Sequence, residues 1–322
     1  MIIEHQNMKN KSITAAVLGL PNAGKSTLIN ALLGYDLSIV SSRPQTTRNH
    51  FQCVMNVDET EIILIDSPGV HNSTQELNIR MNGQAKFATE GADVNFIVVD
   101  SSKDVLSGLD HFLKIIDYQY GPAWLVLTKS DQSTFSEEVL SELKSTIKEK
   151  YDFIEEIFYT SAKEEENLHE IVGSLCDRAK PSPHFYPRGD VSNKNMRFFV
   201  TEYIREQVFH QLKAELPYEI AVTIDEYRDG YQTEDGKKYA ALISATIHVN
   251  RPSQRAIVVG AKGTQIKKIG QEARAKIEAM IGSKAFLNLH VKVSPRWFKK
   301  NHLLEELGLP RTQESHRVWR AR

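Results

Sequence analysis

The apolar run SITAAVLGL leads straight into Gly19-Leu20-Pro21-Asn22-Ala23-Gly24-Lys25-Ser26-Thr27 and on into the helix-favouring stretch KSTLINALLG. No other feature of the chain limits its fold as tightly. A loop of the form G-x-x-x-x-G-K-[ST] needs a buried strand before it and a helix after it. Its glycines let the backbone wrap phosphate oxygens closely, and the free amides at the helix start bind the anion. Lys25 is spaced to reach the β- and γ-phosphates of a nucleotide, and Ser26 to offer its hydroxyl oxygen to Mg²⁺.

The pattern downstream extends this start into a layered domain. Strand-like FQCVMNVD and EIILID come first, then a long stretch that reads as mobile, then the buried strand NFIVVD. A helix near Gly108–Tyr120, the strand AWLVLTK, a helix over Ser136–Lys150, the strand EIFYTSA and a helix ending near Arg178 follow. Apolar strands separated by helices predict a mostly parallel sheet with helices on both faces. The pattern breaks at KPSPHFYPRGD, where Pro181, Pro183 and Pro187 exclude helix and favour an extended connection. The expected boundaries are an extension over 1–12, an α/β domain over 13–178, a linker over 179–195, an α+β domain over 196–308 and a basic tail over 309–322.

Three further segments stand at expected carboxyl ends of strands, the edge at which open α/β sheets bind ligands. Asp66-Ser67-Pro68-Gly69 supplies a carboxylate for Mg²⁺ and a glycine amide for a γ-phosphate. Thr128-Lys129-Ser130-Asp131 brings a carboxylate that can accept the N1–H and N2–H₂ donors of guanine, a pair that adenine lacks. Ser161-Ala162-Lys163 offers a backbone amide to the guanine O6. A polar pocket of this kind rejects a base that leaves it unpaired.

These segments resemble the first, third, fourth and fifth nucleotide-binding boxes of translation-factor-type GTPases. Ser42-Arg43-Pro44-Gln45-Thr46-Thr47-Arg48 resembles the first switch of the Era family. The likeness runs through nearly the whole chain, including the linker FYP and the segment AELPYEIAVTIDEY. It implies a P-loop GTPase cleaving GTP to GDP and phosphate, with Ser26, Thr47 and Asp66 around Mg²⁺ and Thr46 as the alternative to Thr47. Two residues depart from the family: Thr128 stands where Asn is usual, and Ser67 where Thr is usual. Thr128 implies weaker or similar guanine binding. Val70 follows the Asp66–Gly69 segment where other GTPases carry a water-orienting Gln, so slow turnover is expected. Positioning and charge neutralisation dominate phosphoryl transfer. The catalytic set is therefore read as Lys25, Thr47, Gly69 and Asn22, the last by holding an activating K⁺ as in related GTPases.

Charge divides the chain. Arg251–Arg322 holds 16 Lys and Arg against 5 Asp and Glu, a net of +11, while the rest holds 24 against 36, a net of −12. A basic end on an acidic body suits a polyanion. Within that end lies the G-x-x-G of Gly260-Ala261-Lys262-Gly263, between two expected helices, in a helix-strand-strand-helix-helix-strand order. This resembles a type II KH domain, whose loop clamps about four single-stranded nucleotides. Lys262, Lys267 and Lys268 would add charge, and Ile257, Val258, Ile266 and Ile269 an apolar groove for bases. The resemblance names the partner as the single-stranded 3′ tail of small-subunit ribosomal RNA and the role as assembly of the 30S subunit. An RNA chaperone with GTP as a structural ligand is one alternative. A cell-cycle GTPase at the cytoplasmic face of the inner membrane is another. The tail PRTQESHRVWRAR, with Trp319, is basic and is left open between phosphate contact and disorder.

Composition removes other classes. No apolar run reaches the roughly 18 residues of a membrane span. The start, MIIEHQNMKNKS, has neither a signal core nor an Arg-rich transit pattern, which predicts a cytoplasmic protein. Cys53 and Cys176 are isolated and are expected to be reduced core thiols, and no metal-ligand spacing occurs among Cys and His.

Overall fold

A computed structural model describes residues 9–40, 47–72, 76–116, 118, 121–212, 216–233 and 238–310. The chain divides after Asn193 into two compact units. In the first, β1 (Lys11–Gly19), β3 (Thr60–Asp66), β4 (Val94–Asp100), β5 (Ala123–Thr128) and β6 (Ile154–Tyr159) are parallel, and β2 (Phe51–Val57) runs antiparallel beside β3 in the order β2-β3-β1-β4-β5-β6. Every residue of β3, β4 and β5 is buried, as strands covered on both faces must be.

The helices are α1 (Lys25–Leu33), α2 (Glu76–Thr89), α3 (Val105–Ile116), α4 (Glu137–Lys150) and α5 (Leu168–Arg178). α3 buries Val105, Leu109, Phe112 and Ile116, a helical stripe. Ser136 caps α4 by accepting from the Val139 amide at 3.3 Å, with Glu137 and Glu138 against the positive end of the helix dipole.

α2 replaces part of the stretch that reads as mobile in the sequence. It buries Leu77, Asn78, Arg80, Met81, Gln84, Ala85, Ala88 and Thr89, so four polar residues interrupt the apolar period. The Arg80 guanidinium donates from Nε to Glu76, 2.8 Å away and one turn earlier.

The proline-rich stretch lies along the first unit. β7 (Lys180–Pro181) pairs antiparallel with the start of β1. Beyond it, the fully buried Glu61 carboxylate on β3 accepts the amides of Phe185 and Tyr186 at 2.9 and 3.0 Å. The Val54 amide donates to the Val191 carbonyl at 3.0 Å, so 191–193 run beside β2 as an added edge.

The second unit contains α6 (Met196–Gln211), β8 (Ala221–Arg228), the short hairpin β9 (Tyr231–Gln232) and β10 (Lys238–Tyr239), β11 (Ala241–Val249), α7 (Pro252–Val259), α8 (Thr264–Ile281), β12 (Ala285–Val293) and α9 (Asn301–Glu306). β11 is central, antiparallel to β8 and parallel to β12. Ile243, Ala245, Ile247 and Val249 of β11 face a core shared with Val258, Ile269, Ala273 and Ile277 from the helices. The hairpin interrupts what reads in sequence as one strand over 238–249.

Candidate functional site

β1 ends at Gly19, where a side chain would put its Cβ 2.5 Å from the Val98 carbonyl oxygen. Only glycine lets the loop leave the sheet that close to β4. The loop then passes Asn22 in left-handed conformation (φ 61°) and Gly24 (φ 91°) into α1. No acidic residue occupies the first turn of α1, so its amides remain suited to an anion. Lys25 folds back over the loop and donates to the carbonyls of Gly19 and Leu20 at 3.2 and 3.0 Å. Burial draws its pKa down to about 8, against an opposing pull from Asp66. Pro21, Asn22, Gly24, Lys25, Thr47 and Gly69 line a hollow of about 400 Å³ that also reaches Ser26 and Thr27.

Of the three oxygen ligands expected from the sequence, Ser26 and Thr47 line this hollow, and Asp66 is buried behind them, bonded to Thr47. Thr47 Oγ1 lies 3.1 Å from Ser26 Oγ and donates to Asp66 Oδ2 at 3.2 Å. All three residues are buried, and two hydroxyls with one carboxylate form the hard oxygen set that suits Mg²⁺. Thr46 and the rest of Ser42–Thr46 lie outside the described residues. Ser67 Oγ donates to the Val17 carbonyl at 2.5 Å, pinning the Asp66–Gly69 turn to β1. Gly69 then packs against the phosphate loop, where a Cβ would approach Pro21 Cα to 2.9 Å. Val70 turns away into the apolar core at 1% exposure.

The Thr128–Asp131 segment, expected from the sequence to read the base, is tied to the same loop. Thr128 Oγ1 donates to the Ala23 carbonyl at 2.6 Å and lies 3.2 Å from that of Val99. A hydroxyl has one proton, so this one is committed to the protein. Lys129, in left-handed conformation, donates from Nζ to the Asn22 carbonyl at 2.9 Å and to Asp100 at 2.7 Å. Sequence reasoning missed Asp100, although it ends β4 at the same sheet edge, opposite Thr128. Asp131 is exposed, and Ser161 donates to its Oδ1 at 2.7 Å; that bond is the leading cause holding the carboxyl below its ordinary pKa. An ionised, oriented carboxylate is what a guanine edge requires. Ala162 is half-buried beside it, and Lys163 is exposed and paired with Glu164 at 2.6 Å.

In the second unit, α7 ends at Gly260 (φ 73°), where a Cβ would meet that of Gln265 at 2.6 Å. The turn continues through Lys262 (φ 51°) and Gly263 (φ 78°) into α8. Ala261, Lys262, Lys267 and Lys268 are exposed, and Ile257 is 56% exposed. Val258 and Ile269 are corrections to the sequence reading. Both are fully buried among the core residues and present no surface to a base. An open space of about 700 Å³ lies between α8 and β12, lined by Ile266, Lys267, Gly270, Arg274, Leu287 and Leu289. Helical spacing from Ile266 carries Gly270 and Arg274, and strand alternation carries Leu287 and Leu289.

The two units thus define a GTPase module followed by a KH module. Residues 14–129 match the family described as 50S ribosome-binding GTPase, and 215–298 match the KH domain family. The chain belongs to the Era family of GTPases, hydrolases acting on GTP. It is 34% identical to GTPase Era of Thermotoga maritima over 94% of this chain and 98% of that one. With GTPase Era of Carboxydothermus hydrogenoformans it shares 33% identity, over the same shares of the two chains. A solved Era in complex with MgGDPNP and nucleotides 1506–1542 of 16S ribosomal RNA matches with a TM-score of 0.86 at 29% identity, covering 94% of this chain and all of that one. An Aquifex aeolicus Era variant bound to GDP.AlF4- matches at 0.85 and 30% identity, with the same coverage.

Proposed function

We propose that this protein is a GTP-hydrolysing switch that binds the single-stranded 3′ end of small-subunit ribosomal RNA in the cytoplasm and assists assembly of the 30S subunit. The observation that carries the enzymatic half is that Ser26 and Thr47 line one hollow with Lys25 while the Thr47 hydroxyl links Ser26 to the buried Asp66 carboxylate. The RNA half rests on the G-x-x-G turn with exposed Lys262 and Lys267 beside the α8–β12 groove, and on the RNA held by the solved relative.

Each nucleotide contact has a residue suited to it. Backbone N–H groups of the Gly19–Thr27 loop, Pro21 excepted, and the Lys25 ammonium receive the phosphates. Ser26, Thr47 and Asp66 would hold Mg²⁺, which when bound neutralises charge on the phosphate oxygens. Asp131 accepts from the guanine edge, and Lys129 holds the phosphate loop through the Asn22 carbonyl. The Gly69 amide would meet the γ-phosphate. Val70 is buried and cannot orient water, so intrinsic hydrolysis is slow and depends on added positive charge. Asn22 would help hold K⁺ for that purpose. Equal rates in K⁺ and Na⁺, or an Asn22→Ala variant with an unchanged K⁺ response, would remove that assignment.

The test of the whole is GTP hydrolysis with and without a short single-stranded RNA copying the 3′ end of small-subunit ribosomal RNA, with ATP as control. Cleavage of GTP alone, accelerated by the RNA, is the expected result. Cleavage of GTP with no binding of that RNA would keep the GTPase and withdraw the ribosomal assignment.

A further inference from the structure

β12 has two working faces. Leu287 and Leu289 point to the helices and line the α8–β12 groove. The alternate residues Phe286, Asn288, His290 and Lys292 are all exposed on the opposite face. Phe286 is 62% exposed, which leaves most of an aromatic ring in water on a rigid strand. Register places it in a row with Leu242 of β11 and Arg228 of β8, so an aromatic ring, an aliphatic side chain and a guanidinium cross the sheet side by side. The next row holds Asn288, Ser244 and Glu226, and the Glu226 charge is met by Arg228 at 2.7 Å. Asn288 Nδ2 lies 3.0 Å from His290 Nε2. Lys292 closes the line with a positive charge. An aromatic platform, hydrogen-bonding side chains and a cation at two-residue spacing are what a single nucleic-acid strand needs from a sheet.

Two observations select RNA as the occupant. First, β12 pairs only with β11 among the described strands, so one strand separates the groove from the outer face. A polynucleotide leaving the groove meets the outer face by crossing that single edge. Second, a G-x-x-G loop accommodates only about four nucleotides, whereas the solved relative holds nucleotides 1506–1542.

We propose that the outer face of β12, with Phe286 as the stacking platform and Asn288, His290 and Lys292 beside it, is a second contact for single-stranded RNA. It takes nucleotides beyond those held at Gly260–Gly263. The inference rests on the RNA-binding reading above, and its test separates the two.

The full-length protein is titrated with two labelled single-stranded RNAs copying the small-subunit 3′ end, one of about five nucleotides that fills the groove alone and one two to three times longer. Phe286→Ala should weaken the longer RNA by roughly 5- to 150-fold, the range of one base–aromatic stack, and leave the shorter unchanged. Phe286→Tyr should keep both affinities, because it keeps the ring. Melting temperatures equal to the parent would exclude misfolding as the cause. Unchanged affinity of Phe286→Ala for the longer RNA overturns the second contact while leaving the groove intact. Self-association abolished by Phe286→Ala also overturns it, by giving the face to a second copy of the chain. If the parent binds neither RNA, the RNA-binding reading itself falls, and this inference with it.

Discussion

Thr128→Val tests what the departure from the usual Asn does. The substitution keeps the shape of the side chain and removes only the hydroxyl that bridges the carbonyls of Ala23 and Val99. Both sites are buried, so at least one acceptor loses its donor with no water to replace it. A buried group left without its hydrogen bond costs about 1–3 kcal/mol. With one proton shared by two acceptors, the lower half of that range applies, about 1.5 kcal/mol. At about 2–4 °C per kcal/mol for a domain of this size, melting of the GTPase unit should fall by about 3–6 °C. Nucleotide binding must re-order the loop at Ala23, so GTP and GDP affinity should both drop, by up to about tenfold. Thr128→Ser keeps the donor and should restore affinity, with a smaller loss of stability from the missing methyl. The informative assay compares GTP with 7-deaza-GTP, which lacks the N7 acceptor. Equal losses are expected for the two, because the hydroxyl proton serves the protein. A loss confined to GTP would mean that Thr128 touches the base, and an unchanged melting temperature would mean that the tether carries no load.

Asp131→Asn replaces the acceptor proposed for guanine and should weaken GTP by at least about 100-fold, since two charge-assisted hydrogen bonds at about 1.5–3 kcal/mol each would be lost. Xanthosine triphosphate, whose O2 accepts from an amide, should gain in a competition assay. Glu61→Ala leaves the amides of Phe185 and Tyr186 without their acceptor and should destabilise the first unit by about 2 kcal/mol, read by denaturant unfolding. Gly260→Ala forces a Cβ into Gln265 at a positive φ, so the second unit should lose about 1–3 kcal/mol while GTP affinity in the intact protein stays unchanged.

The parts of the fold that were legible from sequence are those where local pattern and packing agree. The phosphate loop is one: strand, glycine spacing and helix are contiguous, and no distant residue is needed to recognise it. Asp66, Thr128 and Ser161 were legible because each closes an apolar strand, and parallel strands bring their carboxyl ends to one edge. α2 was not, because its inward Arg80 and Gln84 look like solvent-facing positions until the Glu76 carboxylate one turn away is seen to accept from the guanidinium. Glu61 was hidden for a different reason. It is the second residue of a fully buried strand, and the two amides it accepts are more than 100 residues away in sequence. Val258 and Ile269 show the limit of periodicity: it identifies apolar positions on a helix but does not say which of them close the core and which line a groove.

The strapping of the nucleotide site also says where its two states can differ. Asn22 and Ala23, successive carbonyls of the phosphate loop, are held by Lys129 and Thr128, successive residues of the segment proposed to read the base. These two segments are therefore tied as one body, which should keep its geometry in GTP and GDP. Thr47 is different, since its described bonds are hydroxyl contacts to Ser26 and Asp66. β2 starts at Phe51, four residues further on, and Phe51 pairs in register with Asp66. A γ-phosphate that draws on Thr47 pulls directly on the β2–β3 hairpin, and that hairpin carries Glu61 and the β2 edge to which 185–193 are bonded. Hydrogen exchange at the amides of Phe185 and Tyr186 should then differ between GDP and a non-hydrolysable GTP analogue, slower with the analogue if Thr47 tightens the hairpin. Glu61→Ala should abolish the difference, because it removes the acceptor through which those amides sense β3. Identical exchange in the two nucleotide states would show that the hairpin does not carry the signal. The consequence of hydrolysis would then have to leave the site through α2 instead.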